Sequence, residues 1–456
     1  MTQTIPAGDP TPHKQRVRKT SAAARTRPAR QAAARKQPAA QKQPAAQKPA
    51  SARQAGDAAD QPPGPAVRVR VGSPAALLAI VPHLLGFAPE SSMVIIGTEA
   101  QKGAVKVTLR YDLPDPHDLE VATDIAEHAT AVLSAQRLTS ATVVGYGPEE
   151  LVRPLAMVVG GMLRRAAIEM PECLRVEGGR YWSYTCGDDA CCPDRGVPFD
   201  EAGHPASDVM TAAGEPVLAG RDAIAAGLAP VRGIAAESMR QATRRAERHV
   251  TQILAKVRKS TRVGAARHMI ASEGLATVAS LIGAYRAGGQ YSTDYQLAWL
   301  TVALKDLRVR DDAWARMDPR DRDAHRRLWT DVVRRAQPGY VAAPASLLAF
   351  VAWQDGNGAL ANIALDRALA DAPGYSMATL LRQVITAGAP PAMARLPLTP
   401  AEVAACYDDL DEYLDGADPD GADPDEDDLD DQGSADEFCE DDAWVNDRHS
   451  PDDQGE

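Results

Sequence analysis

The charge of this chain is divided among three segments, and only the middle one can form a hydrophobic core. Residues 1–66 carry 12 Lys and Arg against 3 Asp and Glu, whereas residues 408–456 carry 23 acidic residues against one Arg. The residues between them, 67–407, hold 37 basic and 36 acidic side chains. A segment with high net charge and few large apolar side chains buries too little surface to offset its chain entropy. The sequence therefore predicts a folded region flanked by two disordered tails of opposite charge.

Both tails are built from short repeats. The basic tail, 1–66, repeats Gln-Pro-Ala-Ala-Gln-Lys, and the acidic tail, 415–456, repeats Gly-Ala-Asp-Pro-Asp. Lysine and arginine in a flexible segment neutralise phosphates without reading sequence. We therefore expect weak, non-specific nucleic-acid binding from the basic tail, in competition with the acidic one.

The sequence offers no sign of export or of a membrane span. The first residues lack an apolar segment of the secretory type, and no run of 18 apolar residues occurs. The expectation is a soluble, cytoplasmic protein without a membrane partner.

The first part of the folded region, 67–215, alternates between strand and helix patterns and predicts an α/β domain. Ser73 followed by Pro74 is typical of a helix start. The short link ending at Gly103 indicates a hairpin. The predicted strands are 67–71, 93–97, 104–112, 141–147 and a hairpin over 173–185, and the predicted helices are 74–86, 117–138 and 149–170.

The second part, 216–414, has only helical periodicity and predicts an all-α domain. Gly356, Ala361, Leu365, Ala368 and Pro373 follow the spacing of the second half of a tetratricopeptide unit. A helical-hairpin array near 344–373 is one interpretation, and an ordinary bundle is the other. Helices are predicted over 237–259, 263–287, 293–309, 319–337, 344–355, 358–371, 376–387 and 399–414.

Four separate blocks resemble one known family. The blocks are "SPAALLAIVPHLLGFAPESSMVIIG" at 73–97, "YWSYTCGDDACCPDRGVP" at 181–198, "LAWLTVALKDLRVRDDAW" at 297–314 and "AWQDGNGALANIALDRALADAPGYSM" at 352–377. They resemble an actinobacterial family catalogued as a domain of unknown function, number 4192, over about 67–407. The resemblance implies an intracellular protein and supplies no catalytic or binding residues.

The loop at 181–198 contains three of the six cysteines, Cys186, Cys191 and Cys192. A structural zinc ion needs four ligands, and Cys173 and His204 are the nearest further candidates. A redox-responsive disulfide, a reactive thiol and simple packing of the loop are the alternatives. Neighbouring side chains in an extended segment point apart, which argues against Cys191 and Cys192 serving one metal. No other cofactor is expected.

A second candidate site lies where two strands are predicted to end. The strands at 104–112 and 141–147 are linked by a helix and should be parallel, so their carboxyl ends share one edge of the sheet. That edge would present Asp112, Gly145, Tyr146 and Gly147. A carboxylate there serves as a general base, as a metal ligand or, more often, as a cap for the strand end.

Two classes of function remain after these observations. The first is a non-enzymatic interaction or regulatory module with a protein partner. The alternative is an enzyme that acts on a small metabolite at the strand-end edge. Because no complete catalytic constellation is recognisable in the sequence, the first class is favoured.

Overall fold

The computed structural model describes residues 71–99, 103–201, 203–212, 217–257, 264–291, 293–393 and 399–416. The two predicted disordered tails lie outside these residues, apart from 415 and 416. The predicted boundary at 215–216 lies outside them as well, as do residues 67–70 of the first predicted strand. Val71, the remaining residue of that strand, is described and is not in a strand.

A six-stranded mixed sheet forms the first part of the fold. Its strands follow the order β2-β1-β3-β4-β5-β6. Strand β1 is antiparallel to both β2 and β3, so β2 and β3 run parallel to each other, as predicted. Pairing is parallel between β3 and β4 and antiparallel in the two pairs that follow. The strands are β1 Ser92–Thr98, β2 Val105–Asp112, β3 Ser140–Tyr146, β4 Cys173–Glu177, β5 Arg180–Ser183 and β6 Val197–Pro198.

Three helices cover the two faces of this sheet. Helix α1 (Pro74–Leu85) packs on one face, and α2 (Leu119–Ala135) and α3 (Glu149–Arg165) pack on the other. The contact of α3 with β3 is close, because a Cβ atom at Gly145 would lie 2.2 Å from Val152 Cγ1. Only glycine fits this position, so Gly145 has a packing role.

Local sequence sets the ends of α1. The Ser73 hydroxyl accepts a hydrogen bond from the Ala76 N–H at 3.2 Å, and Gly86 ends the helix with φ +79°. The serine pairs a backbone N–H group that has no partner within the helix, and the glycine adopts the left-handed conformation with which helices commonly end. Helix α1 continues through Pro82 and α3 through Pro154. The sequence favours a break or a kink of α3 near Pro154; the helix is not broken there, because one lost backbone hydrogen bond does not end a helix that is packed on a sheet.

Helices make up the second part of the fold. A short 3₁₀ helix at Pro319–Asp321 precedes α10. The helices are α4 Pro205–Ala212, α5 Arg221–Gly227, α6 Ile234–Val257, α7 Gly264–Arg286, α8 Asp294–Ala303, α9 Leu307–Ala315, α10 Arg322–Arg335, α11 Ala342–Gln354, α12 Gly358–Asp371, α13 Ser376–Thr386 and α14 Pro400–Gly416.

The single helix predicted over 293–309 is two helices, α8 and α9. Asp306 lies at the break, and its carboxylate accepts a hydrogen bond from the Arg308 N–H at 2.9 Å. An aspartate that caps a new helix competes with continuation of the previous one. The apolar pattern runs across the break, and for that reason periodicity alone predicted one helix.

Helices α11 and α12 form a hairpin at the place of the tetratricopeptide-like pattern. Ala361, Leu365 and Ala368 are buried in α12. At the end of this helix, the Asp371 carboxylate accepts hydrogen bonds from backbone N–H groups at the start of α11. Its donors are Gly339 at 2.7 Å, Val341 at 2.8 Å and Ala342 at 3.1 Å. Asp371 therefore ties the two helices together, and the likeness to a tetratricopeptide unit stays a prediction.

The predicted order of an α/β region followed by a helical region is confirmed. One apolar cluster spans α5 to α13 and includes Phe87, which follows α1. Side chains of α2 also reach the end of α13: His128 Nε2 donates to the Thr386 carbonyl at 2.7 Å. In the part of the chain that the structure describes, no helix is both long and apolar enough to cross a membrane.

Candidate functional site

Three thiols converge in the loop between β5 and β6. The Sγ atoms of Cys186, Cys191 and Cys192 lie within 4.8 Å of one another. The loop turns at this point, because the N–H groups of Cys191 and Cys192 both donate to the Asp188 carbonyl, at 3.0 and 2.7 Å. The two adjacent side chains are therefore not in an extended segment, and both sulfur atoms can face Cys186.

The same turn separates the pKa values of two thiols. The Asp188 backbone N–H donates to the sulfur of Cys186 and lowers the pKa of that thiol, with the neighbouring cysteines contributing in the same direction. Desolvation, followed by the two nearby sulfur atoms, raises the pKa of Cys192 to about 12. Of these two thiols, Cys186 more readily carries negative charge.

The loop is anchored to the sheet by side chains of β5. Trp182 Nε1 donates to the Asp194 carbonyl at 2.9 Å, and Arg180 Nη1 donates to the Gly196 carbonyl at 2.9 Å. Gly196 has φ +74°, and a Cβ there would lie 2.5 Å from the Trp182 ring. Both the positive φ angle and the close contact with the Trp182 ring require glycine at this turn. The three thiols are thus presented by a backbone with a defined conformation.

The structure places the other two predicted ligands elsewhere. Cys173 is buried in the core beneath α2 and α3, where desolvation and Glu172 raise its pKa to about 12. Its carbonyl accepts from the Tyr184 N–H at 2.8 Å, so Cys173 lies opposite Tyr184 in the hairpin. His204 lies at the start of α4, where its Nδ1 accepts from the Ala206 N–H at 3.2 Å. Neither residue belongs to the described three-sulfur group.

The strand-end edge is assembled from three neighbouring strands. Ser92 at the start of β1 pairs with Asp112 on one side and with Tyr146 on the other. Arg110 of β2 connects Ser92 with Asp112: its Nε donates to Ser92 Oγ at 2.8 Å, and its Nη2 lies 2.6 Å from Asp112 Oδ1. Tyr146 is buried, and desolvation followed by the negative charge of Glu201 raises the pKa of its hydroxyl.

The two glycines of this edge have packing roles. Gly145 accommodates Val152 of α3, as described above. Gly147 has φ +147°, and a Cβ there would lie 3.1 Å from Leu113 Cδ1. The Gly-Tyr-Gly turn thus brings α3 close to β3, and its shape is accounted for without a bound phosphate.

A cleft of about 570 Å³ lies between β2 and the helical region. Strand β2 forms one wall along its whole length, and the opposite wall comes from the loop between α11 and α12 and from the end of α13. Among the described strands, β2 has a neighbour on one side only, so its other edge faces this cleft. Sequence reasoning did not identify the cleft, because its walls are more than 200 residues apart in the chain.

Basic side chains predominate among the charged residues that line the cleft. Its charged members are Lys106, Arg110, Arg221 and Arg382, against the single carboxylate of Asp112. The sequence did contain a signal for the strand, because "VKVTLRYD" alternates apolar and polar residues as a half-buried strand does. The two arginines from the helical region had no comparable signal.

Contacts between α2 and the end of α13 hold one end of the cleft in place. His128 Nε2 donates to the Thr386 carbonyl. The Nδ1 atom of the same ring therefore accepts the hydrogen bond from the Tyr111 hydroxyl at 2.7 Å. Gln136 donates to the Gly388 carbonyl. Gly388 itself packs on α2, since a Cβ there would lie 2.2 Å from Val132 Cγ1. The end of α13 is therefore fixed against α2.

These features define an α/β sheet region followed by a helical region, with a cleft between them whose charged side chains are mostly basic and a cluster of thiols at the far edge of the sheet. The chain belongs to the family described as a domain of unknown function (DUF4192), whose family model matches residues 74–392. The curated proteins contain no match to the chain, and neither do the solved structures.

Proposed function

We propose that this protein is a non-enzymatic, regulatory interaction module that binds an extended acidic peptide in the cleft beside β2. The observation that carries this proposal is the edge of β2 that has no partner among the described strands and that lies along the wall of the cleft. Addition of a peptide strand to such an edge is a recurring mode of recognition, in which backbone hydrogen bonds supply affinity.

The backbone of β2 has the orientation that this mode requires. The Leu113 N–H donates to the Ser91 carbonyl at 3.0 Å, toward β1. Because orientation alternates along a strand, the N–H and C=O groups of Thr108, Arg110 and Asp112 point away from β1 and into the cleft. These groups offer an incoming strand a ladder of donors and acceptors.

The charges around the cleft favour an acidic ligand. Arg221 and Arg382 share the Asp366 carboxylate, at 3.1 and 2.6 Å, and Lys106 lies 3.4 Å from Glu99. Arg382 also donates to the Asn362 side-chain oxygen at 3.0 Å and to the Asn362 carbonyl at 3.3 Å. Because a guanidinium has five N–H donors, both arginines keep donors for a ligand. Acidic side chains of a bound peptide would reach these groups from the cleft.

The size of the cleft favours a narrow ligand. A volume of about 570 Å³ accommodates a short extended segment and is too small for a folded domain.

The chain itself contains one suitable sequence, "DGADPDGADPDEDDLDD" at 415–431. When tethered to the protein, this segment has a high effective concentration and would compete with the peptide of a partner. Such competition is the regulatory element of the proposal.

Binding of a labelled 415–431 peptide to a chain ending at residue 416 tests the proposal. Fluorescence anisotropy should show binding that weakens as salt rises from 0.01 M to 0.15 M, where the screening length falls from about 30 Å to about 8 Å. The full chain should bind the peptide at least tenfold more weakly, because its own segment competes.

Two matched pairs of variants locate the binding site. Lys106→Glu should reduce binding, whereas Arg153→Glu, a charge reversal at an exposed arginine of α3, should not. Thr108→Pro removes an N–H that points into the cleft, and Thr108→Val keeps it, so only the proline variant should lose affinity. Equal affinity in all four variants would show that the cleft is not the binding site.

One observation favours the alternative function, an enzyme that acts on a small metabolite at the strand-end edge. The Tyr146 hydroxyl is buried and has no hydrogen-bond partner among the described residues. A ligand at the edge formed by Asp112, Ser92 and Tyr146 could supply one. Thermal melts against a panel of metabolites and nucleotides test this alternative. Stabilisation by one compound in the wild type and not in Asp112→Asn would favour it over peptide binding.

A further inference from the structure

We propose that Cys186, Cys191 and Cys192 together bind one zinc ion, with the fourth coordination position open to a ligand from outside the loop. This inference is independent of the peptide-binding proposal, because the thiols lie beside β5 and β6, at the opposite edge of the sheet from β2.

The spacing of the sulfur atoms fits a zinc-thiolate site. A Zn–S distance of about 2.3 Å in tetrahedral geometry separates two sulfur atoms by roughly 3.8 Å. The three Sγ atoms already lie within 4.8 Å of one another. The remaining difference is on the order of 1 Å, which rotation about the Cα–Cβ bonds can supply without movement of the backbone.

The backbone around the thiols resembles a preformed ligand loop. The Asp188 N–H donates to Cys186 Sγ, and the Asp188 carbonyl accepts from both Cys191 and Cys192. One residue thus orients all three ligand-bearing positions. Hydrogen bonds of this kind, outside the ligand shell, set the direction of metal ligands.

The local charges also suit a cation. Asp188 and Asp189 lie between Cys186 and Cys191, and Arg195 lies beyond the cluster. One zinc ion and three thiolates together carry a net charge of −1, and a neutral external ligand such as water leaves that charge unchanged. Thiolates select zinc and copper(I) among the common metal ions. Each bound thiol releases one proton to solvent, so zinc affinity should fall as the pH is lowered.

The fourth position distinguishes this site from a closed structural one. Cys173 and His204 lie elsewhere, and the described residues provide no fourth ligand in the cluster. A zinc ion with three protein ligands keeps one position for water or for a group from another molecule. The site therefore both links residues 186, 191 and 192 of the loop to one another and accepts an exchangeable ligand.

The test is the zinc content of the full chain, purified under reducing conditions without chelator. Elemental analysis should find close to one zinc per chain, and Cys186→Ser, Cys191→Ser and Cys192→Ser should each lose it. Cys406→Ser is the matched control, because Cys406 is an exposed cysteine of α14, and it should keep the metal. Cobalt substitution should give thiolate-to-metal charge-transfer absorption that decreases in each of the three loop variants.

Several results would overturn the inference. One is a wild-type chain that contains no zinc and takes up none when zinc is added. Another is retention of zinc by any one of the three loop variants, which would leave at most two thiolate ligands. Loss of zinc from Cys406→Ser would place the metal elsewhere. An intact mass two hydrogens below the reduced chain, without metal, would identify a disulfide.

Discussion

Acidification should destabilise the helical region through His325. This side chain is 1% exposed in α10. Burial, followed by the Arg286 cation, lowers the pKa of its imidazole from 6.5 to about 4, and Asp321 and Asp318 oppose this change without cancelling it. The folded protein therefore keeps His325 neutral at pH values where the unfolded chain binds a proton.

The size and sign of the effect follow from the two pKa values. The pKa of His325 is lower in the folded state than in the unfolded state. Above pH 6.5, the unfolded-state pKa, the histidine is neutral in both states and the free energy of unfolding does not depend on it. As the pH drops from 6.5 toward 4, the free energy of unfolding falls. At pH 5 the difference in proton binding lowers stability by about 2 kcal/mol. Below pH 4 the loss reaches a plateau of about 3 kcal/mol, at about 1.4 kcal/mol per pKa unit.

Urea unfolding at pH 7.5 and pH 5.0 measures this effect. The wild type and His325→Leu are compared, together with His268→Gln, which changes an exposed histidine of α7. The leucine variant should lose about 2 kcal/mol less stability on acidification than the wild type, and His268→Gln should behave as the wild type does. An identical loss in the leucine variant would refute the argument that His325 is excluded from protonation.

Three further substitutions test the packing, and two of them are paired with a control substitution. Gly388→Ala should cost about 2 kcal/mol or more in urea unfolding through backbone strain and the clash with α2, whereas Gly283→Ala, where a Cβ meets no atom within 4 Å, should stabilise by up to about 1 kcal/mol. Asp371→Asn should cost about 2 kcal/mol, because a charged acceptor of three backbone N–H groups is weakened; Asp366→Asn, at an exposed ion pair, should cost less than about 1 kcal/mol. Ala361→Leu should overpack the α11–α12 contact and cost about 1–3 kcal/mol by thermal or urea unfolding, and an unchanged midpoint would contradict close packing there.

Much of the sheet region could be predicted from local pattern, and the exceptions have identifiable causes. The alternation in β2, the cap at Ser73 and the hairpin over 173–185 are each encoded within a few residues. Strand β6 has only two residues and exists through its pairing with β5, so no periodicity indicates it. The break at Asp306 was missed because a single capping side chain overrode a continuous apolar pattern.

The candidate sites were predictable to different degrees. The thiol cluster was recognisable from spacing, but the convergence of Cys191 and Cys192 depends on a turn around the Asp188 carbonyl that the sequence does not mark. The grouping of Cys173 with Cys186 assumed that the hairpin ends level with both residues, whereas Cys173 lies opposite Tyr184. The cleft arises from contact between distant segments, and only a tertiary structure brings Arg382 near β2.

The edge of β2 that faces the cleft is also exposed to aggregation while the chain is being synthesised. Strand β2 is complete at residue 112, but the opposite wall of the cleft includes residues up to 391. At about 5–20 residues per second, roughly 14–56 s pass between these two points. During this interval an unpaired strand edge is exposed to neighbouring nascent chains, and lysine or arginine on such an edge discourages pairing with them. Lys106 and Arg110 thus protect the strand before the helical region exists, so their replacement by neutral residues should increase aggregation during expression more than it reduces the stability of the finished fold.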